Sequence, residues 1–530
     1  MLTQRALSKT LAYTIIIIVI IGVIGGAYAL TRGGGGGKKG LQATTTSPIP
    51  TYKKLVVGVV ASKIVLDPAI ADDYASWFIL SKTMEGLVKI NPRTGSIEPG
   101  LAVKWYSPDN GKTWIFILRK NLKFADGTPC TAKDVVRSIQ RVMMLGGHYS
   151  WLVTSFVFDV RAINDTAVKI VLKTPVQDFP AFTSTPVYYV VSPSYPFQNP
   201  LPGATFGGVG PYKIKAVTIN EVDLVVNNNY YGEKPHAQEL IVKIYPSSKA
   251  LAAALEKGEV DIAWWGLTPD DAQALKSKGY TILESDKSAV SILAINTETG
   301  KPTSNKLVRE ALAYALDQSA LASQYDGDYD EPVLSVLPRS YVGYVDAFKA
   351  YAGLNQDKAR SLLAKAGYNE GNKLHLVLIT STAIYGTGAT ELANLVKKQL
   401  EATGVITVEV KDLTHDAFYG ALIQGDYDLA LETIYPVYPD PVFYIILTLY
   451  SKANYNLGIT YTNPQVDNSI ERVLASVDYS LRQTIFEKLQ QTALAGDIPA
   501  IPLVEYPTLA AVKPDVKGVT ILPNMLLSTP

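Results

Sequence analysis

The chain reads as a mixed α/β protein, and three observations predict it. Segments with the two-residue alternation of strands interleave with segments of helical period along most of the 530 residues. No repeat of solenoid length is visible, so the elements serve discrete lobes rather than a stack. The length exceeds what one hydrophobic core serves and points to roughly two to four lobes. A single cysteine, Cys130, excludes an internal disulfide, so the framework must stand on its apolar cores.

Residues 11–30, LAYTIIIIVIIGVIGGAYAL, carry no charged side chain over 20 positions. As a helix that run crosses about 30 Å of hydrocarbon, and it lacks the polar face of an ordinary core helix. It is a membrane segment or a secretory signal peptide. Ala27 and Ala29 fit cleavage near Ala29. Arg5-Ala6-Leu7-Ser8 instead resembles the processing site of archaeal pilin-type signal peptides, cut near Ala6 with the apolar run retained; no cleavage at all is the third alternative. Residues 31–52 follow as a Gly/Thr/Ser-rich linker, in which GGGGGKKG and ATTTSPIP cannot bury a core. The arrangement predicts a body at the cell surface, anchored to the cytoplasmic membrane by an N-terminal helix within residues 1–30. Seven of the 49 basic residues and none of the 48 acidic ones lie in the first 54 positions, so the body carries about six more negative than positive charges. That balance argues against a nucleic-acid partner.

The body opens on a strand over 54–62, KLVVGVVAS, followed by a helix over 72–88 with Asp72 or Asp73 at its cap. TWIFILR over 113–119 reads as a strand, LKF over 122–124 as another, and DGTP over 126–129 as a tight turn. Thr131 and Asp134 have the spacing of a capping box and open a helix over 132–144. Further helices are predicted over 306–318, with Leu307, Val308, Ala311, Leu312, Ala315 and Leu316 on one stripe, and over 356–366 and 389–403. GDYDLALETIYPVYPDP, residues 425–441, begins as a strand and breaks into a loop of prolines and tyrosines. Tyr427, Leu429 and Leu431 alternate there with Asp428, Ala430 and Glu432.

Eight segments, in order, resemble the extracytoplasmic solute-binding proteins of family 5, the dipeptide- and oligopeptide-binding proteins of ABC importers. They are SPDNGKTWIFILRKNLKFADGTPCTAKDVVRSIQR (107–141), GVGPYKI, NNYYGEKP, ALEKGEVDIAW, NKLVREALAYALDQSAL, DKARSLLAKAGY, GDYDLAL with YPDP, and GDIPAIPL. The resemblance runs over about 55–503 and implies a type 2 periplasmic-binding fold, two lobes joined by a hinge plus an inserted extra domain. Lobe I would combine 53–84, 205–288 and 500–530, the insert would span 85–204, and lobe III would span 289–499. It implies capture of an oligopeptide or oligosaccharide between closing lobes and delivery to an ABC permease with ATPase subunits, without a cofactor or a metal.

The resemblance also places ligand-binding residues. Trp264 and Trp265 follow a lobe I strand, and Tyr435, Val437, Tyr438 and Asp440 follow the strand that begins at Tyr427. In the family an Asp that meets the ligand ammonium and a Trp over the pocket stand where this chain has Val437 and Ile434. Burying an unpaired ammonium costs several kcal/mol, so unless Asp440 or Glu432 substitutes, neutral hydroxyl-rich ligands such as oligosaccharides are favoured, bound through aromatic faces and water-bridged hydroxyls.

A secreted, membrane-tethered hydrolase acting on oligosaccharides or peptides is the alternative of another class. His148, His236, His375 and His415 are scattered, and none pairs with Cys130 in a nucleophile motif. Asp72-Asp73 and Asp270-Asp271 read as helix caps rather than acid/base pairs. Asp326, Asp328 and Asp330 have the spacing that begins a calcium loop, but Glu331 stands at its glycine position and Leu337 at its final acid. Asn164-Asp165-Thr166 is the one acceptable N-glycosylation sequon. The tether is checked by mass spectrometry of the native N-terminus: a start near Leu7 or before it is expected, and a start near residue 30 would remove the anchor.

Overall fold

The computed structural model describes residues 49–530 apart from 92–93, 202–206, 326–329 and 387. The anchor expected over 1–30, nearly all of the linker, and Asp326 and Asp328 lie outside the described residues. Among the described residues no helix is long and apolar enough to cross a membrane, and no group of three or more His, Cys, Asp or Glu could hold a metal ion.

Tyr52–Val60 lies parallel to Ala237–Tyr245 on one side and to Ile262–Ala263 on the other. Leu55 to Val59 are buried, which is why this strand reads as a continuous apolar run rather than an alternation. It is the middle of a seven-stranded sheet ordered Thr281–Glu284, Leu509–Val512, Ile262–Ala263, Tyr52–Val60, Ala237–Tyr245, Glu221–Val226, Tyr212–Val217. A second sheet of six strands runs Glu331–Pro332, Ala500–Tyr506, Ala289–Ile295, Leu429–Ile434, Leu374–Thr380, Ile406–Asp412. A four-stranded antiparallel sheet, Ala102–Tyr106, Thr113–Leu118, Ala167–Leu172, Val157–Asn164, forms the middle of the 85–204 segment.

One expected boundary moves. Ala500–Tyr506 was assigned to lobe I, yet it pairs antiparallel with Ala289–Ile295 in the six-stranded sheet. The chain returns to the seven-stranded sheet only at Leu509. The two crossings are bonded to each other, Ser285 N–H donating to the Thr508 carbonyl at 3.0 Å and Thr508 N–H to Ser285 Oγ at 2.9 Å.

Local chemistry fixes the helices. Asp73 caps Tyr74–Thr83, its side chain accepting from Ser76 N–H at 2.8 Å. The helix expected to reach residue 88 stops at Thr83, because Gly86 lies against the Thr183 carbonyl, where an added Cβ would come within 2.0 Å. Thr131 and Asp134 form the expected capping box on Ala132–Leu145, whereas LKF is reduced to a single bridge between Lys123 and Pro129. The helix expected over 306–318 divides into Lys306–Tyr314 and Gln318–Tyr325, since the Asp317 carboxylate accepts from Ala320 N–H at 3.0 Å and opens the second. Asp270 and Asp271 lie in the first turn of Pro269–Ser277, whose cap is Thr268. Asn164 is exposed, its Oδ1 accepting from Thr166 N–H at 2.9 Å.

The four-stranded unit is fastened to the first lobe by one buried ion pair. Arg141 and Asp67, each 1 % exposed, meet in two parallel bonds of 2.6 and 2.5 Å. Arg141 also donates to the Pro196 and Asn199 carbonyls, and Asp67 accepts from Leu201 N–H at 2.9 Å. Arg141→Met strands the Asp67 carboxylate in the core, and a loss of about 3 to 5 kcal/mol is expected. Urea unfolding followed by tryptophan fluorescence measures it; a loss under about 1 kcal/mol would mean that water reaches the pair.

Candidate functional site

The two large sheets meet along a junction built by loop ends and helix starts. Trp265 directly follows Ile262–Ala263 and has φ +40°, the left-handed region that bulky residues avoid. Gly266 continues the kink at φ +86°, where an added Cβ would lie 2.6 Å from the Val60 side chain. The Trp265 carbonyl accepts from Val60 N–H at 2.9 Å, which pins the turn. Strain of this kind costs about 1 to 3 kcal/mol and persists where the surroundings hold it for a purpose. The two tryptophan rings stay in tilted contact at 5.8 Å across the turn. Trp264 is fully buried against Phe78 at 5.2 Å, while Trp265 turns to the junction.

There Trp265 stacks on Tyr74 with centroids 4.5 Å apart and planes 16° from parallel. Tyr435, from the end of the central strand of the other sheet, closes on both, at 5.4 Å from Tyr74 and 5.3 Å from Trp265. A second set continues from the first: Tyr74 to Trp77 at 5.0 Å, Trp77 to Tyr149 at 4.8 Å, and His148 to Tyr419 at 4.2 Å. Such tilted and stacked pairs follow the ring quadrupole and add about 0.5 to 1.5 kcal/mol each beyond area burial. Hydroxyls connect this wall to the crossing strands. Ser291 and Thr433 are 3.0 Å apart, Thr433 and Tyr506 3.1 Å, and Tyr506 and Tyr435 3.4 Å. A cavity of about 10 Å³, room for about one water, lies beside them, lined by Ser291, Tyr325, Tyr385, Thr433 and Tyr506. The larger depression of about 660 Å³ is on the outer edge of the six-stranded sheet, around His375 and Lys397, away from this junction.

The junction is also acidic. Asp72, just before the capped helix, accepts from His415 Nε2 at 2.6 Å, and Asp416 is 2.8 Å from Nδ1. The bond to Asp72 raises the His415 pKa above its ordinary 6.5, against the effect of burial. A carboxylate at each nitrogen favours the protonated ring, and the bond to Asp72 ties residue 72 of one lobe to residue 415 of the other. Burial lifts Asp73 to about 6 and Glu432 to about 8, and lowers His148 to about 4. Tyr385 donates its hydroxyl to Glu432 Oε2. Glu432 Oε1 and the Tyr74 hydroxyl are buried without a hydrogen-bond partner among the described residues.

Of the residues named from sequence, the structure brings Trp265 and Tyr435 together at the junction. Trp264 is a core residue, fully buried between Phe78 and the Trp265 ring. Val437 is 3 % exposed, and Tyr438 packs edge-on against Phe182 at 5.3 Å. Asp440 is no substitute anchor: its carboxylate caps Pro441–Leu449 through Val442 N–H at 2.8 Å and holds Arg482 at 3.1 Å, which also binds Asp178. Tyr74, Tyr149, Tyr385, Tyr419, His148, His415 and Asp72 were not foreseen. The available signal was the clustering of aromatic and histidine residues in YASW, HYSW and HDAFY, at the starts of helices in three separate parts of the chain.

Comparison with known proteins agrees with this architecture. The sequence model of the bacterial extracellular solute-binding proteins, family 5 Middle, matches residues 96–456. The nickel-binding periplasmic protein of Escherichia coli (strain K12) is 26 % identical over 475 residues, covering 84 % of this chain and 88 % of that protein. The solved structure of the PBP AgaA from A. tumefaciens R10 in complex with agropinic acid superposes with a TM-score of 0.78 at 25 % identity, covering 89 % of this chain and 95 % of that one. DppA from Helicobacter pylori, in complex with the peptide STSA, has the same fold at a TM-score of 0.79 and 20 % identity, covering 91 % and 98 %.

The imidazolium between the lobes makes closure depend on pH. A His whose pKa is raised by a partner contributes its full stabilisation below the unpaired value of about 6.5 and loses it as pH rises through the raised value. Lys63 and burial oppose the bond, and His148, depressed by burial, resists closure below about 6.5. The closed-to-open ratio is therefore expected to fall as pH rises above about 6.5, by about fivefold once the ring is neutral, for a pair worth about 1 kcal/mol. Small-angle scattering reads it as a rising radius of gyration. Glu432, lifted to about 8 by burial, acts in the same direction, so His415→Ala should reduce the slope without removing it, and an unchanged profile in that variant would assign the effect to Glu432 alone.

Proposed function

Since the chain belongs to the family 5 extracellular solute-binding proteins, whose model spans residues 96–456 of its 530, we propose that it captures a small oligomeric solute between its two lobes outside the cell. The closed complex is delivered to an ABC permease with its ATPase subunits. The observation that carries the reading is the meeting of Tyr74 and Trp265 from one lobe with Tyr435 from the other. A solute that enters must part these rings, and closing them again covers its faces on two sides. The lobes turn about the bonded crossings at 285–288 and 507–508, the two passages between the large sheets among the described residues.

Two solute classes have support. Oligosaccharides are supported by buried Val437 at the position of the family's ammonium-binding Asp, by Asp440's commitment to Arg482, and by aromatic faces beside a chain of hydroxyls. Peptides are supported by the relatives, among them the dipeptide-binding protein of Escherichia coli (strain K12) at 24 % identity over 477 residues, and by Glu432 in the junction. Capture without turnover separates this reading from the tethered hydrolase, and an anchor within residues 1–30 would keep the body at the membrane that houses the permease.

Calorimetric titration with oligosaccharides and peptides, with chromatography of the recovered solute, tests the proposal. Intact solute is expected; cleavage by the pure protein would replace the binding reading with the hydrolase. Trp265→Ala should weaken a bound solute by about 1 to 3 kcal/mol, and unchanged affinity would place the site away from the junction.

A further inference from the structure

We propose that Glu432 anchors a protonated primary amine of the captured solute, an assignment that rests on the solute-binding function proposed above. Glu432 lies on the central strand Leu429–Ile434, opposite Ile292, and is 1 % exposed. Its Oε2 is held by the Tyr385 hydroxyl, and its Oε1 is buried with no partner among the described residues. Leaving such an oxygen unmet costs about 1 to 3 kcal/mol, more when it is charged, so the position is expensive unless something that binds there donates to it.

The surroundings select the donor. Glu432 and Asp72 both act electrostatically on Tyr149 and Tyr419, which places the two carboxylates on one shared set of rings. Asp73 acts on Tyr419 as well. Against these three acids stands the His415 imidazolium, already spent on Asp72 and Asp416. No Lys or Arg ion pair reaches Glu432 among the described residues. A hydroxyl of the solute meets Oε1 of the neutral carboxyl and leaves it neutral, whereas an ammonium meets Oε1 and stabilises the ionised carboxylate, with protons to spare for the phenols around it. A metal ion fits poorly, because no cluster of three ligating side chains exists among the described residues.

The proton balance gives an independent readout. Burial raises Glu432 to about 8, so near neutral pH its carboxyl in the closed molecule is largely protonated. An ammonium arriving beside it ionises the carboxyl, and that proton passes to the buffer; the ammonium keeps all of its own. A neutral solute leaves the carboxyl protonated and releases nothing.

The primary amine has two natural sources, a peptide N-terminus and an amino sugar, and two matched pairs of probes distinguish them: a tetrapeptide with and without N-acetylation, and a glucosamine tetramer with and without N-acetylation. Calorimetry on the full chain at neutral pH, repeated in phosphate and in Tris, reads affinity and proton release together. In at least one pair the free amine is expected to bind about tenfold tighter or more than its acetylated partner and to release close to one proton. Glu432→Gln, which keeps the shape, should remove both differences, while Trp265→Ala should weaken both members of the pair equally. Equal affinity of free and acetylated partners overturns the anchor and leaves the capture function standing. A preference that survives in Glu432→Gln overturns the residue assignment. Binding of no probe in either pair overturns the proposed solute classes, and the anchor with them.

Discussion

Everything at the junction depends on the two short crossings between the large sheets. Residues 285–288 lead into the six-stranded sheet and 507–508 lead out of it, and one backbone bond and one bond to the Ser285 hydroxyl, both between Ser285 and Thr508, hold them side by side. Two adjacent strands so joined resist shear but bend together, which leaves one soft direction of motion. Tyr506, at the edge of the second crossing, reaches Thr433 and Tyr435 through its hydroxyl. The axis of bending and the wall of the site are thus parts of one bonded set. A change in the angle between lobes moves Tyr435 against Tyr74 and Trp265 without an intermediary.

The chemistry of the site follows from how much water that closure removes. Asp73, Glu432 and His148 all have their charged forms disfavoured by burial. The exception is His415, where direct bonds to carboxylates outweigh desolvation. A closed cleft of this kind is tuned by the few groups that keep a charge. Its apolar area provides binding energy that is nearly the same for many flat-faced solutes, so selectivity rests on those few polar atoms.

Much of the fold was legible because it is local. The Asp73 cap, the Thr131–Asp134 box and the apolar run of Tyr52–Val60 are each decided by residues a few positions apart. What escaped was decided at long range. The 500–506 strand looks alike in either sheet, and only its pairing with Ala289–Ile295 assigns it. Glu432 alternates with apolar residues in Leu429–Ile434, yet all six residues are buried, which the alternation alone does not show. In the site, Trp265 and Tyr435 could be named because they follow strands, but alternation alone could not say which tryptophan faced inward; a positive φ did that. Asp440 read as a free carboxylate because its partner, Arg482, is 42 residues further on. Tyr149, Tyr419 and His415 lie near helix starts, where helical period carries no information about a neighbour in another lobe.

The inserted unit is fastened unequally to its two neighbours. Toward the first lobe it has the dry Arg141–Asp67 pair, each partner 1 % exposed. Toward the second it has Arg482 between Asp178 and Asp440, with side chains 10, 34 and 19 % exposed, the Ser155 hydroxyl on the Lys452 carbonyl at 3.1 Å, and Gln177 N–H on the Leu474 carbonyl at 2.8 Å. Groups near solvent are rehydrated at small cost, and stripping Asp67 from a buried guanidinium is expensive. The insert therefore rides as a rigid extension of the first lobe, and the line along Asp178, Lys452 and Leu474 behaves as a zipper. Beside those polar fastenings, ring contacts such as Phe182 on Tyr438 and Trp151 on Phe443 hold the same side, so when the lobes part this line is where the insert comes away at least electrostatic cost.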